Sequence, residues 1–358
     1  MSLKVGLRRI IVAAAAAATL TTAVATAPPA TAAPSATTGL YGAADPTYDG
    51  VFRQSLAILG LAANDLTPPA TAVAWLLGQQ CSDGSFQAYR ADLTQPCAPA
   101  DPVNFTGPDT NSTALALMAL MALDDRRVGL PPATASRIDT AARKAGSWLR
   151  KQQNTDGGWP YFAGGASDAN STGLSLSGIL SQAPSTRIPA YRKAARFLGS
   201  VSASCADGGG LAYQAGSKVD GSATAQGLIG LVGPLPVSGP RQLGVGAPCT
   251  NTAKAKATSY LAAALAPTGA LPSSLGSGPD YASTANAVLG LVAAGQGRVA
   301  VAKATATLKA NAKAFVTPDG TSPGAAGLLL MVAEATGSKA TSFGGLNLVR
   351  TLNASLRR

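Results

Sequence analysis

Two stretches of the chain can be laid over each other without a gap. One runs Trp75-Leu76, then Gln80, Gly84 and Phe86; the other runs Trp148-Leu149, then Gln153, Gly157 and Trp159. The first aromatic and the glycine are nine residues apart in both. Self-similarity on this scale marks an array of like units, none of which can bury its apolar face alone. It constrains the fold before any single side chain is weighed.

A second repeat interleaves with the first. Asp109 is followed by Thr113, Asp168 by Thr172, Asp220 by Thr224 and Asp280 by Thr284, always at the fourth residue, and each pair opens an apolar, Ala/Gly/Ser-rich run. Asp49 leads a looser copy with Arg53 in the threonine slot, and a sixth apolar stretch, 325–335, has no leading aspartate. Runs that are apolar nearly all round predict helices buried on most sides. Between them lie amphipathic segments, roughly 69–80, 132–153, 187–201, 251–265, 297–314 and 342–355, which carry most of the cations.

The chain therefore reads as all-α, with six hairpins of one buried and one solvated helix. Closing them into a ring gives every buried helix two neighbours. The expected fold is an (α/α)6 toroid over 48–356, with 39–47 and the tail after Ser355 on its outside. An open solenoid is the competing layout, but it would need polar capping units.

The N-terminus reads as a signal rather than as fold. Lys4, Arg8 and Arg9 precede the apolar run 10–20, and Ala30-Thr31-Ala32 offers small residues before a cut at Ala33. This is the pattern of a cleaved secretory signal peptide over 1–32, with 33–47 as an N-terminal extension. A membrane anchor is the alternative, but the apolar run is short for a span. The expected location is extracellular. Four cysteines in an exported chain favour disulfides. Of the three possible pairings, Cys81–Cys97 with Cys205–Cys249 is preferred, because each bridge closes one excursion between helices. With no histidine in the chain and no close Cys-x-x-Cys spacing, no metal site is expected.

The Trp-Leu-x3-Gln-x3-Gly-x-Trp pattern resembles the QW-type repeat of the terpenoid cyclase and protein prenyltransferase superfamily. The resemblance implies an α/α toroid over most of the chain. Cyclases of that superfamily carry an Asp-x-Asp-Asp acid run, and the nearest stretch here, Leu123-Asp124-Asp125-Arg126-Arg127, lacks its third aspartate. Prenyltransferase zinc needs a histidine that this chain cannot supply. In lacking both signatures, and in its cysteines and exported character, the chain is similar to the helical domain of the cobalamin carriers intrinsic factor and transcobalamin. Unlike them, it is not expected to carry a second, β-rich domain.

Both repeats place their turns at one end of the ring. Asp109, Asp168, Asp220 and Asp280 fall there, with Tyr161, Phe162, Tyr213 and Tyr281 as irregular extra aromatics. Aspartate before Ser or Thr at a helix start is a capping arrangement. The same carboxylates could also line a ligand mouth. These eight residues are the candidate binding rim, and no catalytic residue is assigned. The expected function is non-catalytic binding of a bulky small molecule such as a corrinoid, with no resident cofactor. Two alternatives stay open: a diverged cyclase-like or carbohydrate-active enzyme using rim aspartates, and a structural or adhesive repeat protein. The cations sit on the solvated helices, away from most aromatics, so no nucleic-acid partner is expected. Contact with a cell envelope or a membrane-bound uptake protein is.

Overall fold

The computed structural model describes residues 37–124, 130–274 and 276–358. The signal-peptide reading and Asp125-Arg126-Arg127 lie outside the described residues. The described chain is mostly helical. The apolar runs form α1 (Gly50–Ala63), α3 (Thr110–Asp124), α5 (Ala169–Gln182), α7 (Gly221–Val232), α9 (Tyr281–Ala294) and α12 (Pro323–Ala335). The amphipathic segments form α2 (Ala70–Gly78), α4 (Pro132–Lys151), α6 (Pro189–Ser200), α8 (Ala253–Leu265), α10 (Arg298–Ala310) with the short α11 (Ala312–Val316), and α13 (Leu348–Ala354). No helix among the described residues is long and apolar enough to cross a membrane.

The two classes bury different amounts of themselves, as their patterns require. Every residue of α1 except Phe52 is buried. On α4 only one stripe is buried, Ile138, Ala141, Ala142, Ala145, Trp148 and Leu149 among it, at helical spacing. The first class makes the inner layer. Helix α1 packs against α3, α3 against α5, α5 against α7, α7 against α9 and α9 against α12, which returns to α1. Each inner helix also packs on the amphipathic helix that follows it. The α1–α12 contact is backbone to backbone: a methyl group on Gly60 would lie 2.6 Å from the Gly327 carbonyl oxygen. Only glycine lets the two helices approach this closely.

The repeat residues hold the turns. Gln80 Nε2 donates to the carbonyls of Gly84 at 3.0 Å and Ala141 at 2.9 Å, the latter on α4. Gln153 Nε2 does the same to Gly157 at 2.8 Å and to Ala190 on α6 at 3.1 Å. The motif glutamine thus ties its own turn to the next outer helix. Gly157 has φ of 98° and sits against the backbone of Lys193, where a side chain would be both strained and obstructed. Three two-residue antiparallel ladders pair each such turn with the start of the next inner helix: β1 (Phe86–Gln87) with β2 (Pro108–Asp109), β3 (Trp159–Pro160) with β4 (Ser167–Asp168), and β5 (Leu271–Pro272) with β6 (Pro279–Asp280).

The expectation that 39–47 lies outside fits 43–45 and 47, which are exposed, but needs correction for 39–42, which is buried against the half-buried tail. Leu40 and Tyr41 are fully buried. Gly39 N donates to Arg357 O at 2.9 Å, and Arg357 N donates to Leu40 O at 2.9 Å. Gln54 of α1 accepts from Tyr41 N through Oε1 at 2.9 Å, and donates to Gly39 O at 2.9 Å and to Ala72 O of α2 at 3.0 Å. Residues 39–42 belong to the core, because burying Leu40 and Tyr41 there removes a large apolar area from water. Both preferred disulfides are present: Cys81–Cys97 spans 16 residues and Cys205–Cys249 spans 44.

Candidate functional site

The aspartates of the repeat are helix caps. Asp109 Oδ1 accepts from Ser112 N at 2.7 Å, Asp168 Oδ1 from Ser171 N at 2.7 Å, Asp220 Oδ1 from Ala223 N at 2.6 Å and Asp280 Oδ1 from Ser283 N at 2.8 Å. Each satisfies one of the amides that a helix start leaves free. Asp49 differs: its carboxylate makes no cap and instead pairs at 2.9 Å with Nη1 of buried Arg53. The Arg53 guanidinium also donates to the carbonyls of Ala44 and Asp45.

Asp109 and Asp168 are each 1% exposed, so neither presents an open carboxylate. Burial pushes the Asp109 carboxyl up to about 7, against the pull of the Ser112 amide and hydroxyl. Burial also raises Asp168, while Ser171 and the Tyr213 hydroxyl hold it down. The partners feel the same pairing. Burial and then the Asp109 charge raise the Tyr161 phenol, and burial and then the Asp168 charge raise Tyr213.

This pairing runs between units. Thr110 N, at the start of α3, donates to Tyr161 O at 2.9 Å, and Ala169 N, at the start of α5, donates to Tyr213 O at 2.9 Å. Each tyrosine arrives on the turn of the following unit and settles beside the aspartate of the one before. The structure therefore brings Asp109 together with Tyr161 and Phe162, and Asp168 together with Tyr213. Tyr281 lies elsewhere on the rim. Its ring is 5.7 Å from that of Phe315, and it lines an open depression of about 570 Å³ with Pro267, Leu271, Pro272 and Pro279.

One rim aromatic outside the eight candidate residues completes the first corner. Phe105 stands on the loop after the Cys81–Cys97 bridge, with φ of 53° and 61% of its surface exposed. Its ring centroid is 6.2 Å from Tyr161 and 5.9 Å from Phe162, which in turn meet edge to face at 4.6 Å. Val103, two residues earlier, is 87% exposed. The Asn-Phe-Thr-Gly run at 104–107 marks a turn, but nothing in it reveals the left-handed backbone of Phe105. Among the described residues no cluster of three or more metal-ligating side chains occurs.

No protein family matches the chain by sequence, and no curated protein does. Solved structures are similar to it. A protein from Actinoplanes has 14% identity and a TM-score of 0.33, over 80% of this chain and all of that one. The ent-copalyl diphosphate synthase from Streptomyces platensis has 17% identity and a TM-score of 0.46, over 80% of this chain and 50% of that one. A type II terpene cyclase from Scytonema has 18% identity and a TM-score of 0.48, over 84% and 81%. At these values no residue role is carried across.

Proposed function

We propose that the chain is an exported (α/α)6 toroid of six helical hairpins that binds, without transforming, a bulky and partly apolar small molecule at the inner-helix N-terminal end. The observation that carries the reading is the Phe105–Tyr161–Phe162 corner. A non-glycine residue in the left-handed region costs about 1–3 kcal/mol. Here that cost holds a large aromatic out in water, above two other rings. A contact surface explains such an arrangement better than core packing does. Tyr48, Leu93 and Tyr213 also expose apolar surface in segments between an outer helix and the next inner one, or just before α1.

A corrinoid is the named ligand that suits a flat apolar face beside hydrogen-bonding phenols. The test is a spectral titration with cobinamide. Binding should shift the corrin absorption bands, and Phe105→Ala or Tyr161→Ala should weaken binding about tenfold, as expected for losing an aromatic contact. A flat titration with wild-type protein rejects the corrinoid. The two disulfides suit an oxidising, extracellular setting, and the solvated cations suit contact with an anionic envelope or an uptake protein there.

One observation favours a second reading as an enzyme. Burial pushes the Asp109 carboxyl, beside Tyr161, up to about 7, so about half of it carries a proton at neutral pH, as a general acid must. Asp109→Asn keeps the cap and removes the acid. Turnover of any polyprenyl or glycosidic substrate that vanishes in this variant would support the enzyme over the binding protein. The structural or adhesive reading rests on the burial of most of each inner helix, and it predicts no ligand at all.

A further inference from the structure

The inner helices also carry a set of side chains that the rim aspartates hide. In α3, α5, α7 and α9 the threonine of the repeat turns outward, because its hydroxyl accepts from a turn amide of the outer layer: Phe86, Trp159, Leu211 and Leu271, each at 2.9 Å. Residues two places before or after it lie about 200° round the helix and so face the axis. Those places hold Asn111, Asn170, Ser222, Gln226 and Asn286. On α1, Gln54 faces outward, which turns Phe52 to the axis by the same rotation.

All six are partly exposed, while the middle turns of these helices are otherwise buried. Leu56, Leu115 and Leu174 lie one turn deeper on the same faces and are nearly closed off. Asn170 Nδ2 reaches Ser222 Oγ across the α5–α7 contact at 3.4 Å. Asn111 Oδ1 is buried with no hydrogen-bond partner. An unmet buried acceptor needs a partner that the fold itself does not supply, a water or a bound group. These axial positions on five inner helices thus hold four carboxamides, a hydroxyl and one aromatic ring over an aliphatic floor, and none of the six side chains is charged. The carboxylates that might have charged this wall are turned back into helix caps.

We propose that this axial mouth is a second site, distinct from the aromatic corner, and that it takes the end of a neutral saccharide. Each carboxamide offers donors and acceptors side by side, which matches a hydroxyl that must do both. An uncharged ligand leaves no ion unpaired in a site without counter-charges. Phe52 supplies a face for the C–H side of a sugar ring. An extended peptide would find only helix walls here, whose backbone groups are already bonded, and no edge to pair with.

Saturation-transfer NMR with cellotetraose and with triacetylchitotriose, on the full mature protein, tests this. The proposal expects transfer to at least one of them at millimolar concentrations. Asn170→Leu with Gln226→Leu should weaken it at least tenfold, while Phe105→Ala leaves it unchanged. That last variant separates this site from the corrinoid corner. Should the double variant fail to fold, Asn286→Leu alone should weaken binding severalfold in protein with a native melting temperature. No transfer from wild type, transfer indifferent to the amide variants, or binding of an N-acetylated tripeptide with neither sugar bound would each overturn the proposal.

Discussion

The backbone amide of Trp159 donates to Thr172 Oγ1 at 2.9 Å, and that hydroxyl joins the turn behind α4 to the first turn of α5. The same bond recurs three more times, from Phe86 to Thr113, Leu211 to Thr224 and Leu271 to Thr284. It explains why the aspartate–threonine spacing never varies. The aspartate caps the helix from one side while the threonine, one turn on, fastens the outer layer to it.

Removing one of these hydroxyls should be costly because the amide it serves is buried. Thr172→Val keeps the shape but orphans the Trp159 amide. We expect a loss of about 1–3 kcal/mol in urea unfolding, with Thr172→Ser losing less than half of that. An equal loss for both variants would mean that packing of the methyl, not the bond, matters.

Asp109 makes stability fall with rising pH in the range where it ionises. Its folded value of about 7 lies above that of an unfolded aspartate. The folded state therefore holds the proton more tightly, and its contribution is full below about pH 4 and lost progressively as the pH rises to 7. The slope from this group is at most about 1.4 kcal/mol per pH unit. Asp168 adds to it in the same direction. Asp109→Asn, which keeps a capping oxygen, should flatten the dependence of the urea midpoint on pH between 4 and 7 and raise it at pH 8. An unchanged profile would remove Asp109 as its source.

The disulfides close loops of unequal size, so their loss should differ in effect. In the chain-entropy account, a bridge of 16 residues contributes about 3 kcal/mol and one of 44 somewhat more. Cys205→Ser with Cys249→Ser should lower the melting temperature further than Cys81→Ser with Cys97→Ser. The second pair should instead loosen the Phe105 loop that follows Cys97, read as faster amide exchange over 98–107.

Tyr41 is a fully buried aromatic outside any helix. Tyr41→Ala should cost about 3–5 kcal/mol, as for other large core truncations. A loss below 1 kcal/mol would show that 39–42 is dispensable.

Much of this architecture was legible because the repeat residues act locally. Gln153, Gly157 and Thr172 each serve a bond or a close approach within their own unit or the next, so spacing alone reveals them. Leu40 and Tyr41 escaped because their partners, Ser355 to Arg357, lie at the far end of the chain and no repeat links the two. The rim was half legible. Aspartate at a helix start signals both capping and possible binding, and only burial separates the two for Asp109 and Asp168. Phe105 could be placed at the rim end, but it lies outside both repeats and nothing in the sequence set it beside Tyr161 and Phe162. Asn111 and Asn170 stood beside the aspartates in the sequence, but their direction follows only once the threonines are known to face outward.

The pairing of Gly39 with Arg357 leaves the molecule without a privileged first unit. Residues 39–42 and 355–357, at the two ends of the described chain, meet as neighbours, much as any two successive turns do. A gene rearranged to start at residue 242 and finish at 241, with 358 joined to 37 by a short linker, should yield the same closed wall, since termini lying side by side tolerate such relocation.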